Sequence, residues 1–205
     1  FDTEPTIKNG TLTESRTGQV GTIEFNNVSF KYPDSDEYML ENISFKIKKG
    51  ETVAIVGSTG SGKTTLVNLI ERFYDVSEGY VLVDGEDVRD YKQSALRNKI
   101  AYVPQKAVMF DASVAANISY GDNGKKRADA KKISEALHVA QAKDFVSKMP
   151  GKEKAHIAQG GTNVSGGQRQ RLAIARAIAR DPEIYIFDDS FSALDFKTDA
   201  KLRKE

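Results

Sequence analysis

Apolar and polar residues alternate along Thr22-Ile23-Glu24-Phe25 and again along Ile43-Ser44-Phe45-Lys46-Ile47, the period of a half-buried strand. Tyr80-Val81-Leu82-Val83 predicts another strand and runs into Asp84-Gly85, a tight-turn pair. Ile100-Ala101-Tyr102-Val103 predicts a short strand that Pro104 ends. Val53-Ala54-Ile55-Val56 predicts a short buried strand. Ile184-Tyr185-Ile186-Phe187, apolar throughout, suits one covered on both faces of a parallel sheet. Helical spacing follows in three places: Leu66, Leu69, Ile70 and Phe73; then Ile133, Ala136, Leu137 and Ala140 from Ala128 onward; then about Gly166 to Arg180, stopping at Asp181-Pro182. Residues 1–20 are polar, rich in Thr, Glu and Gly, and without sustained period, so they predict a linker or extended arm.

The composition narrows the chemistry. The 205 residues suffice for one domain with a subdomain, and 30 Lys+Arg against 29 Asp+Glu leave a formal charge of +1, which gives no call for a nucleic-acid partner. With no Cys there are no disulfides or thiolate metal sites, and the two His, His138 and His156, are too few for a histidine metal centre. Surface or packing roles suit both. The basic run Lys125-Lys126-Arg127 predicts a solvated helix start. No apolar run has the length of a membrane span, and the first residues do not resemble a signal peptide.

The chemistry is densest at Gly57-Ser58-Thr59-Gly60-Ser61-Gly62-Lys63-Thr64, with Thr65 following. An apolar run feeds this glycine-rich turn and a helix leaves it, so backbone N–H groups and a helix N-terminus can converge on phosphate oxygens. In such a P-loop Lys63 reaches the β- and γ-phosphates and the Thr64 hydroxyl helps hold Mg²⁺. The expected ligand is a nucleoside triphosphate. Asp188, at the end of the apolar run 184–187, fits a second Mg²⁺-directed carboxylate, a Walker B aspartate. Ser165-Gly166-Gly167-Gln168 opens the last helix with Ser165 placed as N-cap, a second anion-directed helix start in the same chain. A head-to-tail dimer, in which this tip covers the γ-phosphate on a partner's P-loop, reconciles the two.

Taken in order, Gly57–Thr64, Gln105 after Val103-Pro104, Ser165–Gln168, Ile184–Asp188 and Ser192-Ala193-Leu194-Asp195 resemble the nucleotide-binding domain of ATP-binding-cassette (ABC) proteins, over roughly residues 22–197. The resemblance implies an α/β fold: an ABC-type P-loop NTPase core (a mixed sheet with helices), an antiparallel β subdomain, and a helical subdomain of about 107–165 leading into the signature Ser165–Gln168. It implies ATP and Mg²⁺ as ligands, with Tyr32 stacking on adenine and Gln105 touching Mg²⁺ and sensing a membrane partner. Ser192–Asp195 would cross a dimer interface. Val103-Pro104-Gln105, Val108-Met109-Phe110, Ala116-Asn117-Ile118, Glu71-Arg72-Phe73-Tyr74-Asp75 and Val83-Asp84-Gly85 are similar to the multidrug and lipid exporter branch. In that branch the domain is fused behind a membrane domain at the cytoplasmic face. Residues 1–20 would then be the linker from a missing membrane domain, and 21–205 a nucleotide-binding domain stopping before the family's switch histidine.

Two departures stand out. Asp189 occupies the position of the family's catalytic Glu; it is one methylene shorter, roughly 1.5 Å of reach, and misplacement by about 1 Å can cost on the order of a hundredfold in rate. Gln159 stands where exporters carry an acid in the loop before the signature, and Val164 replaces the signature's leading Leu. Together these imply a weakly hydrolytic site in one half of a heterodimer, whose signature completes a competent site on a partner bearing Glu. The alternatives are an ATP-dependent regulatory clamp without turnover, and a soluble ABC ATPase. About sixty positions separate Gln105 from Ser165 with no heptad run, which argues against the DNA-repair branch and its long coiled coil.

Overall fold

The computed structural model describes residues 6–121, 127–192, 194, 198 and 200, in two units that meet at Ile100 and Ala101. In the first unit, β1 (Ile23–Phe30), β2 (Leu40–Ile47), β3 (Glu78–Val83) and β4 (Glu86–Asp87) form an antiparallel sheet in the order β2-β1-β3-β4. Ile23 and Phe25 point into the core; after a register shift at Asn27 (φ +48°), Val28 and Phe30 do so instead. The one-residue bulge switches the parity of the buried face. Asp84 (φ +54°) and Gly85 (φ +77°) turn β3 into β4, as a two-residue hairpin with both φ positive requires. Asp84 is fully buried and salt-bridged to Lys99 at 2.9 Å.

Helix α1 (Lys63–Ile70) buries Leu66, Val67, Leu69 and Ile70, and α2 (Gln93–Lys99) follows β4. Phe73, expected on the buried face of α1, lies beyond it and is exposed. Arg72 takes φ +54° and turns the chain out of the helix, and the Arg97 guanidinium lies 4.7 Å over the Phe73 ring. The predicted buried strand Val53–Val56 is also corrected. Among the described residues this segment joins no ladder, and Val56 is 92% exposed. A strand exists only through a neighbour that pairs its backbone groups, and the β2-β1-β3-β4 sheet takes up none of this run.

Residues 6–20 form an arm held by polar contacts, with no apolar period. Leu12 makes a parallel bridge to Tyr91, flanked by Gly10 N–H to Tyr91 O at 3.1 Å and Lys92 N–H to Leu12 O at 2.8 Å. Ser15 and Thr17 hydroxyls donate to Asp84 O, and Arg16 forks onto Glu86, its Nη2 at 2.8 Å from Oε2. A Cβ on Gly10 would stand 2.1 Å from Asp90 O, so only glycine fits there.

The second unit holds β5 (Ile100–Val103), β6 (Ala112–Ser113), α3 (Val114–Ile118), α4 (Ala130–Val139), α5 (Lys143–Val146), β7 (His156–Ile157), α6 (Gly166–Ala179) and β8 (Ile184–Phe187). β6 pairs antiparallel with β7, and β5 pairs with β8. Ile133, Ala136, Leu137 and Ala140 are buried as their spacing predicts, in one cluster with Leu172, Ile174 and the small residues Ala173, Ala175, Ala177 and Ala179 of α6. Asp129 caps α4 by accepting from Lys132 N–H. β8 is not covered on both faces: Ile184 and Ile186 are buried, while Tyr185 and Phe187 are exposed with their rings stacked 7° from parallel. Alternation along a strand gives two faces, and only the isoleucine face meets the core. Lys125 and Lys126 lie outside the described residues, as do Ala193 and Asp195 of the loop 192–195. No helix among the described residues is long and apolar enough to cross a membrane.

Candidate nucleotide-binding site

In the first unit, the loop 57–62 delivers the chain into α1 through Gly62, which takes φ +87° with a backbone that leaves 2.8 Å between a would-be Cβ and Leu40 Cδ2. That conformation costs a non-glycine residue roughly 1–2 kcal/mol. The Lys63 ammonium folds back over the loop and donates to Gly57 O at 2.8 Å and Ser58 O at 2.7 Å. A cation held at the mouth of a ring of backbone groups fits a polyphosphate, to which it can transfer the same hydrogen bonds. Thr64 is exposed and Thr65 buried. The Tyr32 hydroxyl lies 2.8 Å from Thr65 Oγ1, which ties the aromatic residue of the segment after β1 to the helix that the loop opens. The Tyr32 ring meets Phe30 and Tyr74 edge-on, with centroids 5.0 and 5.2 Å apart.

In the second unit the ends of β5 and β8 bring three candidates together. The Tyr102 hydroxyl donates to Asp188 Oδ2 at 3.1 Å, and the Gln105 amide Nε2 donates to Asp189 Oδ2 at 2.9 Å. Asp189 takes φ +46°, a region that Asp tolerates better than most residues. The turn is fixed on both sides: the buried Ser190 hydroxyl donates to Val103 O at 2.6 Å, and the Ser192 hydroxyl donates to Asp189 O at 2.8 Å. Asp189 itself is exposed.

The signature tip is built by α6. Ser165 Oγ accepts from Gln168 N–H at 3.2 Å and Gln168 Oε1 accepts from Ser165 N–H at 2.9 Å, a complete capping box. Ser165 and Gly166 are exposed, and Gly167 and Gln168 half-buried. Behind them the Arg169 guanidinium donates to Gly161 O and Val164 O, and Gln170 Nε2 donates to Pro104 O. Gln170 thereby fastens the helix carrying the signature to the residue before Gln105. Gln159 opens a 3₁₀ turn and is exposed.

For Mg²⁺, the Asp188 carboxylate, Thr64 hydroxyl and Gln105 amide oxygen are hard oxygen donors. No group of three or more His, Cys, Asp or Glu that could hold a metal occurs among the described residues. Asp188 and Gln105 belong to the second unit and Thr64 to the first. Tyr102 and Tyr74 were not singled out from sequence. Tyr102 could have been, since Ala101 and Val103 point inward and leave Tyr102 on the opposite face.

The sequence profile of the ABC transporter family matches residues 40–192. The chain belongs to the ABC transporter family. Within it the chain corresponds to the ATP-binding domain. It is 51% identical over 185 residues to an uncharacterized ABC transporter ATP-binding protein of Mycobacterium bovis, covering 90% of this chain and 31% of that protein. It is 45% identical over 183 residues to the ATP-dependent lipid A-core flippase of Escherichia coli K12, covering 89% of this chain and 31% of the flippase. Among solved structures, a bacterial Atm1-family ABC exporter with ATP bound superimposes with a TM-score of 0.85 at 34% identity, over 98% of this chain and 34% of that one. The chain thus spans about a third of the length of these relatives.

Proposed function

We propose that this chain is the ATP-hydrolysing domain of an exporter subunit, fused behind a membrane domain at the cytoplasmic face, and that its own site turns over weakly. The reading rests first on the ordered motifs and on the likeness to a flippase and an ATP-bound exporter. ATP is the substrate. Residues 57–62 and the start of α1 cradle its phosphates, Lys63 and Thr65 contact them, and Tyr32 receives the adenine. Thr64, Asp188 and Gln105 would hold Mg²⁺, which would supply charge neutralisation to the transferred phosphoryl group.

Asp189 is the residue that polarises attacking water, and it is the single observation that separates a working from an impaired site. Its carboxylate is short, and the Gln105 amide already engages it. Ser165–Gln168 faces a partner's nucleotide in a head-to-tail dimer, so a partner with Glu at the matching position completes an efficient site. The Gln105–Asp189 pair also favours a second reading, a clamp that closes on ATP and leaves turnover to the partner.

The test is steady-state ATP turnover of the full-length subunit, native against Asp189→Glu. A rise of about tenfold or more, some 1.4 kcal/mol of barrier, marks Asp189 as a deficient base. Equal rates make Asp189 a working base and favour a homodimeric exporter.

A further inference from the structure

The first unit contains a cavity of about 270 Å³ that the phosphate loop does not use. One wall is aromatic: Phe30, Tyr32 and Tyr74, whose rings meet with centroids 5.0 to 5.6 Å apart. The N-terminal arm lines the same cavity with Thr6 and the half-buried Ile7, and Lys31, Asp75 and Ser77 add polar lining. The volume is just under the range of small-molecule pockets, about 300–1,000 Å³, so it suits one heterocycle rather than a whole nucleotide. The cavity is tied to the phosphate loop, because the Tyr32 hydroxyl lies 2.8 Å from Thr65 Oγ1. The arm wall is held in register from behind. Gln93 Nε2 donates to Ile7 O, Gln93 N–H donates to Asn9 Oδ1, and Gly10 packs where a Cβ would stand 2.1 Å from Asp90 O.

We propose that the arm is a working wall of the base pocket, with Ile7 a positioning residue that braces Tyr32 and Tyr74, so that the seating of residues 6–10 sets how tightly the nucleotide base is held. This rests on the proposed ATP site and deepens it. Chain upstream of the arm thereby reaches nucleotide affinity directly, through one apolar side chain and a glycine-dependent anchor.

The test compares ATP with inorganic tripolyphosphate, which can use the phosphate loop but has no base, in the full-length subunit. Ile7→Asp alters the wall itself, and Gly10→Ala unseats the arm three residues away without touching the cavity. Each is expected to raise the ATP Kd about fivefold or more and leave the tripolyphosphate Kd unchanged, the same split as Tyr32→Ala. Unchanged ATP affinity in both arm variants overturns the proposal, as does equal weakening of the two ligands, which would mean a general loss of structure. Lys63→Ala separates the two levels. It must weaken both ligands; if it weakens neither, the phosphate site fails and the arm's role falls with it.

Discussion

Gln105 Nε2 lies 2.9 Å from Asp189 Oδ2, while three residues earlier Tyr102 donates to Asp188. The end of β5 thus supplies a separate donor to each of two adjacent carboxylates. Both Gln105 and Asp189 are exposed, so the bond between them is worth about 0.5–1.5 kcal/mol. That is enough to fix a rotamer and little enough to be given up on ligand binding. Gln105→Ala removes the amide that orients Asp189 and should reduce ATP turnover of the full-length subunit by about a hundredfold, the cost of misplacing a reacting group by about 1 Å. ATP affinity should stay within about twofold. Parallel kinetic and equilibrium measurements check this, and a loss of affinity matching the loss of rate would assign Gln105 to binding instead.

Lys63 contributes through charge. Its ammonium holds two loop carbonyls in the present conformation and is free of any carboxylate contact among its described hydrogen bonds. Hydrogen bonds to charged groups contribute about 1.5–3 kcal/mol, so Lys63→Ala should weaken ATP binding by one to two orders of magnitude. Titration calorimetry reads this directly. Gly62→Ala should produce a smaller loss together with reduced stability, because it strains the αL residue that turns the loop into α1.

Where burial followed a period, the fold was legible in sequence. The strands around Phe25 and Phe45, and the face of α4, needed only alternation or helical spacing. Val53–Val56 and the outer face of β8 were not legible, because an apolar run states a preference for burial and does not name the neighbour that provides it. The seating of the arm was hidden for the opposite reason. Gly10, Ser15, Arg16 and Thr17 are held by hydrogen bonds and an ion pair, which leave no hydrophobic signal. The turn of the phosphate loop into α1 was legible, since Gly60 and Gly62 take the positive φ that glycine favours. The Tyr102–Asp188 and Gln105–Asp189 pairs join residues more than eighty positions apart and appear only once β5 and β8 are paired.

Stability of the second unit should depend on Arg176. Its Nε donates to Asn117 O at 2.7 Å, Nη1 to Val108 O at 3.0 Å and Nη2 to Asn117 Oδ1 at 3.0 Å, and its guanidinium lies 5.2 Å over the Phe110 ring. Asn117 is buried, so its main-chain O cannot turn to water if Arg176 is lost, whereas its Oδ1 keeps the Phe110 N–H and Val108 is exposed. Arg176→Met should therefore cost about 2 kcal/mol, chiefly at Asn117, and lower Tm by about 4–8 °C. Arg176→Lys should recover only part of this, because an ammonium cannot reproduce the planar fork. Burial lowers the Arg176 pKa to about 10, below the ordinary guanidinium value. The folded state then binds fewer protons than the unfolded state between those values. This group's contribution to stability therefore rises with pH across that window and is flat below it, so unfolding near neutrality should show no pH dependence from Arg176.

The signature tip offers a test in which stability and function move in opposite directions. The first turn of α6 contains no acidic residue, and Gly167 occupies its second position. An Asp there adds a negative charge near the positive end of the helix and removes a glycine, so Gly167→Asp should stabilise α6 by a few tenths of a kcal/mol to about 1 kcal/mol. The same charge would face the γ-phosphate of a nucleotide held by a dimer partner, at a position from which a neutral backbone N–H can donate. Turnover at the partner's site should fall by at least a hundredfold, with ATP binding to this chain and its thermal unfolding undiminished. Ser165→Ala serves as the contrast, since it removes half of the capping box and should cost about 0.5–2 kcal/mol of stability. Turnover measured in the assembled transporter, alongside unfolding of each variant, separates the two effects. A Gly167→Asp variant that hydrolyses ATP normally would mean that this helix start does not meet the partner's phosphates.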